Sequence, residues 1–101
     1  MLEKDVKREC KKLLKKAGWM WLDTSAPSKA LSGMKDAPDT IFIRWNHVVY
    51  IEYKRPGGTP TVGQWEWRGK IGPHLGRNVH HMFIYHSDQL PPWMLDIEDK
   101  V

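Results

Sequence analysis

Two runs of β-branched and aromatic residues, Thr40-Ile41-Phe42-Ile43-Arg44-Trp45 and Val48-Val49-Tyr50-Ile51-Glu52-Tyr53-Lys54, are separated only by Asn46-His47. Such runs around a short polar break form a β-hairpin, because branched and aromatic side chains fit the pleated surface and the break turns the chain. With Asn46-His47 as a two-residue loop, Trp45 faces Val48, Ile41 faces Glu52 and Asp39 faces Lys54; a four-residue loop gives the same register. Side chains alternate across a strand, so Asp39, Glu52 and Lys54 then share one face. Directly opposed Cβ atoms lie about 4.5–5.5 Å apart and diagonal ones about 7–8 Å, near enough for both carboxylates to share one cation with Lys54 beside it.

Two carboxylates and an ammonium on one strand face admit two readings. As a surface ion pair at the end of a hairpin they contribute little to stability. As a reactive group they offer hard oxygen ligands to Mg²⁺ or Mn²⁺, and such an ion polarises a phosphate and acidifies water, which phosphodiester hydrolysis requires. Lys54 would then either hold and deprotonate the attacking water or neutralise charge growing on the phosphate.

A basic amphipathic helix is expected at the start of the chain. Leu2, Val6, Cys10, Leu13, Leu14 and Ala17 recur at three- and four-residue steps up to Gly18, while Lys4, Lys7, Arg8, Lys11, Lys12, Lys15 and Lys16 fill most other positions. At about 100° per residue, Glu3 falls roughly 20° from Cys10, inside the apolar stripe, whereas Glu9 and Asp5 fall about 100° and 140° away. Glu3 is therefore expected to point inward, either as a first-turn acid favoured by the helix dipole or as a third carboxylate at the hairpin. A second helix is expected over residues 61–71, stopped or kinked by Gly72-Pro73, with Gln64, Trp67 and Ile71 on its inner stripe. Gln64 is there either a capping or sheet-edge amide or a residue that could hydrogen-bond Lys54 or a nucleophilic water. Residues 79–85 read as a partly buried strand, and residues 19–22 as another ahead of a polar loop over 23–35.

The 101 residues fit one domain, residues 1–101, and no apolar run approaches the roughly 18 residues of a membrane span. The first residues lack a secretory apolar stretch and the single Cys10 lies on the apolar side of its helix, so a cytoplasmic location is expected, without a disulfide or thiol catalysis. A net charge of +4 and a pI near 9.3 favour a polyanionic partner held by salt-sensitive phosphate contacts. The residues expected to make them are Lys4, Lys7, Arg8, Lys11, Arg55, Arg68 and Lys70, although lysine-rich helix faces are often simply solvated. His80 and His81, adjacent on a strand, point to opposite faces, which argues against a zinc site with His74 and His86. Six Trp are many for this length, and Trp65, Trp67 and Trp93 are expected at an interface with a second copy in preference to stacking on bases. The Pro91-Pro92 pair and the acidic Asp96, Glu98 and Asp99 suggest a tail that packs or frays.

Pro38-Asp39 followed by Glu52-Tyr53-Lys54 resembles the PD-(D/E)XK nuclease signature. More specifically, Ile51-Glu52-Tyr53-Lys54-Arg55-Pro56-Gly57-Gly58, with Gln64 ten residues after Lys54, is similar to the virus-type replication-repair nuclease domain, VRR-Nuc, over roughly residues 3 to 87. One departure is Asp36, where the family usually has Gly. The resemblance implies an α/β fold with a restriction-endonuclease-like PD-(D/E)XK core, a small mixed sheet flanked by helices. It further implies a structure-selective DNA endonuclease that depends on Mg²⁺ or Mn²⁺. Asp39, Glu52, the Tyr53 backbone carbonyl and the helical acid, matched by Glu3, would bind the ion; Lys54 would activate water and Gln64 position it. Stand-alone members are typically viral or bacterial dimers acting on branched DNA, so a homodimer that cuts four-way (Holliday) junctions, in the host cytoplasm if viral, is expected by resemblance. The competing reading is a non-catalytic nucleic-acid-binding module with structural acids, and added metal separates the two.

Overall fold

The computed structural model describes residues 1–24 and 37–96. Along them lie α1 (Glu3–Lys16), β1 (Met20–Asp23), β2 (Thr40–Arg44), β3 (His47–Tyr53), α2 (Val62–Ile71), β4 (Val79–Ile84) and a short α3 (Pro92–Leu95), with 3₁₀ turns at Gly72–His74 and Ser87–Gln89. The four strands form one mixed sheet in the order β1-β2-β3-β4, antiparallel except for the parallel pair β3 and β4. A parallel neighbour needs a crossover connection, and α2 provides it. The fold is thus a small mixed α/β arrangement with flanking helices. Among the described residues no helix is long and apolar enough to cross a membrane. Asp36, most of the expected polar loop, and the acidic tail residues Glu98 and Asp99 lie outside the described residues.

Helix α1 buries Val6, Cys10 and Leu14, one turn apart, against Phe42, Val49, Ile51 and Tyr53 of the sheet. Leu2 and Leu13, expected on the same stripe, are exposed. The helix starts where the Leu2 N–H donates to Asp5 Oδ2 at 2.9 Å. It stops at Gly18, whose φ of 89° lets the Gly18 and Trp19 N–H groups reach back to the Lys15 and Leu14 carbonyls, closing the last turn as a Schellman motif. Residues 91–96 pack: Met94 is buried, and Trp19 Nε1 donates to the Met94 carbonyl at 2.8 Å. Helix α2 lies across the other face, with Trp67 against Tyr50 and His81, and Trp65 against Phe83.

The hairpin register differs from expectation. The turn is Trp45–Asn46 and not Asn46-His47, so Arg44 pairs with His47, Ile41 with Tyr50 and Thr40 with Ile51. A shift of two residues leaves every side chain on its own face, so the alternating pattern is equally satisfied by both pairings and the turn decides between them. Trp45 takes left-handed backbone, with φ 53°, uncommon for so bulky a side chain, while the Arg44 guanidinium lies 4.1 Å from its ring centre. Continued by one pair, this register sets Asp39 across from Glu52 instead of Lys54.

Candidate active site

The acidic cluster forms where four elements end together. Asp39 immediately precedes β2, Glu52 lies near the end of β3, Glu3 opens α1, and Gln64 sits in the first turn of α2. One carboxylate oxygen from each of Glu3, Asp39 and Glu52 lies within 4.8 Å of the others. The Asp39 N–H donates to Glu52 Oε2 at 3.1 Å, and the Tyr53 N–H donates to Asp39 Oδ2 at 2.9 Å, so each hairpin carboxylate is held by the opposite strand's backbone. The second Glu52 oxygen accepts from Gln64 Nε2.

Gln64 caps α2, one of its expected roles, and its side chain meets Glu52 and not the expected Lys54. Its Oε1 accepts from the Thr61 N–H at 2.8 Å and its own N–H donates to Thr61 Oγ1 at 3.1 Å, a capping box that closes the start of α2. The amide nitrogen left over reaches Glu52. The connection from β3 makes this possible: the Gly58 N–H bonds the Arg55 carbonyl at 2.9 Å across Pro56 and Gly57, and Gly57 has φ 84°. Pro followed by a left-handed Gly is the requirement of a type II turn, and it returns the chain so that α2 begins above the strand it has just left.

Burial first, then the neighbouring Asp39 charge, pushes the Glu52 carboxyl up to about 8; Glu3 adds to the shift and Lys54 opposes it. Asp39 is also raised by burial, against the Tyr53 hydrogen bond and the Lys7 and Lys54 charges. At neutral pH the pair therefore retains a proton that a cation can displace. The donor set fits a hard divalent ion, being all oxygen. Lys54, 9% exposed, follows Glu52 on the same face, with its N–H bonded to the Ile84 carbonyl at 2.9 Å. Tyr53 lines the cavity beside the cluster.

The basic residues expected at phosphates are dispersed. Lys4 and Lys7 line the cavity next to the acids. Arg8 is paired with Asp5 at 2.9 Å, and Lys7 and Lys11 both approach Asp23, at 3.4 and 2.6 Å. Arg55 is exposed at its turn and Lys70 is exposed on α2. Arg68 is turned inward, donating to the His81 carbonyl at 2.8 Å and meeting its Nδ1 at 3.0 Å. His81 is pushed down to about 4, by burial first and then by the Arg68 charge, so the neutral ring accepts this bond. His80 points the other way, toward His47 and Trp93.

Asp23 is the residue near this site that the sequence reading missed. It accepts from Lys11 and from the Thr40 hydroxyl, and stabilises the basic face of α1 against the sheet. Its pairing depends on β1 lying beside β2, which no local pattern announces. Compared with known proteins, the chain matches no family model and no curated protein.

Proposed function

We propose that this protein is a divalent-metal-dependent DNA endonuclease with a PD-(D/E)XK core of the VRR-Nuc type. The observation that carries the reading is the convergence of Glu3, Asp39 and Glu52 oxygens within 4.8 Å, with Gln64 bonded to one of them and Lys54 on the same strand face. Glu3, Asp39 and Glu52, with the Tyr53 carbonyl as a further oxygen, would hold Mg²⁺ or Mn²⁺. When bound, the ion supplies Lewis-acid polarisation of the phosphate and lowers the pKa of water. Lys54, buried beside both acids, accepts the proton of the attacking water or faces the charge growing on the phosphate. Gln64 is a positioning residue that fixes Glu52 while capping α2.

The basic balance of the chain supports DNA as the substrate. One domain with one such site cuts one strand, whereas a four-way junction needs paired cuts, which a two-fold dimer makes with two identical sites. Trp45, Trp65 and Trp93, 49%, 55% and 41% exposed, are the tryptophans most exposed among the described residues, and an interface with a second copy would cover some of them. The test is a panel of labelled four-way junction, flap and duplex DNA with Mg²⁺, Mn²⁺ or EDTA. Metal-dependent cleavage that disappears in Glu52→Ala is expected. Metal-independent binding without cleavage would replace the nuclease by the binding-module reading.

A further inference from the structure

Two lysines of α1 share Asp23, and the distances separate their roles. Lys11 Nζ lies 2.6 Å from Asp23 Oδ2, and the Thr40 hydroxyl donates to Oδ1 at 3.0 Å. Lys7 Nζ stands farther off, 3.4 Å from Oδ1. One carboxylate neutralises one ammonium, and the shorter contact belongs to Lys11. Lys7 is also one helical turn from Glu3, and with Glu3, Lys4, Asp39 and Tyr53 it lines a cavity of about 200 Å³ beside the acids. Its charge acts on Asp39 as well as on Asp23, whereas that of Lys4 acts on Asp5.

Charge balance at the cluster calls for such a group. Three carboxylates with one divalent ion leave one negative charge facing a phosphodiester that is itself negative. Against these two negative charges Lys54 supplies one positive charge, which leaves the place of a second cation to be filled. We infer that Lys7 binds a non-bridging oxygen of the DNA phosphate at the acidic cluster, while Lys11 is a structural clamp on Asp23. The inference rests on the nuclease reading above and adds a phosphate-binding residue to it.

The experiment compares wild type, Lys7→Met, Lys7→Arg and Lys11→Met in the full chain, on the DNA that wild type cuts best and with its cut position mapped. Lys7→Met should fold, since Asp23 keeps Lys11 and Thr40, and should lower kcat/KM about a hundredfold, the usual scale for one lost transition-state contact. Lys7→Arg should recover most of the loss, and Lys11→Met should melt at a lower temperature and lose far less rate than Lys7→Met. The Mg²⁺ concentration for half-maximal rate should stay level or fall in Lys7→Met, because a cation facing the metal has gone; a rise would show that Lys7 merely supports the carboxylates and would overturn the inference. A second readout needs no turnover. In EDTA, a neutral methylphosphonate at the mapped position should weaken binding by wild type and not by Lys7→Met; equal weakening of both proteins would also overturn it. If wild type cleaves while the Lys7→Met and Lys11→Met rates match, this inference alone fails. If wild type cleaves no DNA, the nuclease reading fails and takes this one with it.

Discussion

Replacing Glu52 with Gln should stabilise the metal-free protein and at the same time remove its response to metal. The Glu52 carboxyl lies at about 8 in the folded chain against an ordinary 4.5. A carboxyl raised on folding favours the native state while it is protonated, so this contribution is present below pH 4.5 and is lost as pH rises toward 8. His81 acts in the opposite sense: held near 4 against an ordinary 6.5, it contributes above pH 6.5, and that contribution is lost as pH falls through 4. The two oppose each other between pH 4.5 and 6.5. From pH 6.5, where His81 of the unfolded chain is half protonated, to pH 8 the His81 effect fades and the Glu52 effect dominates. At about 1.4 kcal/mol per pH unit, the loss over this interval is about 2 kcal/mol, or roughly 8–16 °C in melting temperature for a domain of this size. Thermal melts in EDTA at pH 6.5 and pH 8 should therefore show wild type falling and Glu52→Gln nearly level, with the variant melting higher at pH 8. Mg²⁺ should reverse that order at pH 8 by stabilising wild type alone. Parallel pH profiles for the two proteins in EDTA would refute the reasoning, because the strain would then not reside in the Glu52 charge.

Asp39→Ala and Lys54→Ala should both abolish cleavage, yet calorimetric titration with Mn²⁺ should find binding weakened only in Asp39→Ala, since the proposed ligands are all oxygens; equal weakening would place Lys54 among the supports of the metal site. Glu3→Gln should raise the Mg²⁺ needed for half-maximal cleavage by about tenfold or more. Glu9→Gln should leave it unchanged, because the Glu9 carboxylate accepts from Ser87 Oγ at 3.2 Å, by the 3₁₀ turn after β4; matching titrations would remove Glu3 from the ligand set. Sedimentation at low micromolar concentration should find a homodimer, and cleavage should favour the four-way junction over linear duplex; a monomer that cuts only flaps would leave the chemistry and remove the junction role.

The parts of this site that were legible in the sequence are those that depend on period alone. Asp39 and Glu52 share a face in either hairpin register, because face membership needs only parity, whereas direct opposition depends on which two residues turn, and the left-handed Trp45 carries no residue signal for it. Gln64 was reachable from helix phase and its capping from its spacing to Thr61, whereas Glu3, expected to point inward, stays exposed at the start of α1 even though an oxygen of its carboxylate lies within 4.8 Å of those of Asp39 and Glu52. Asp23 beneath Lys11, and His81 beneath Arg68, were not reachable, since each pair depends on the order in which strands and helices pack. A deeper limit lies inside the cluster itself. The groups that aim the two hairpin carboxylates are the N–H of Asp39 and the N–H of Tyr53, main-chain donors that almost any residue would provide at those positions. A sequence displays the acids that chemistry requires, but the donors that orient them belong to the backbone and become visible only when β2 and β3 are placed side by side.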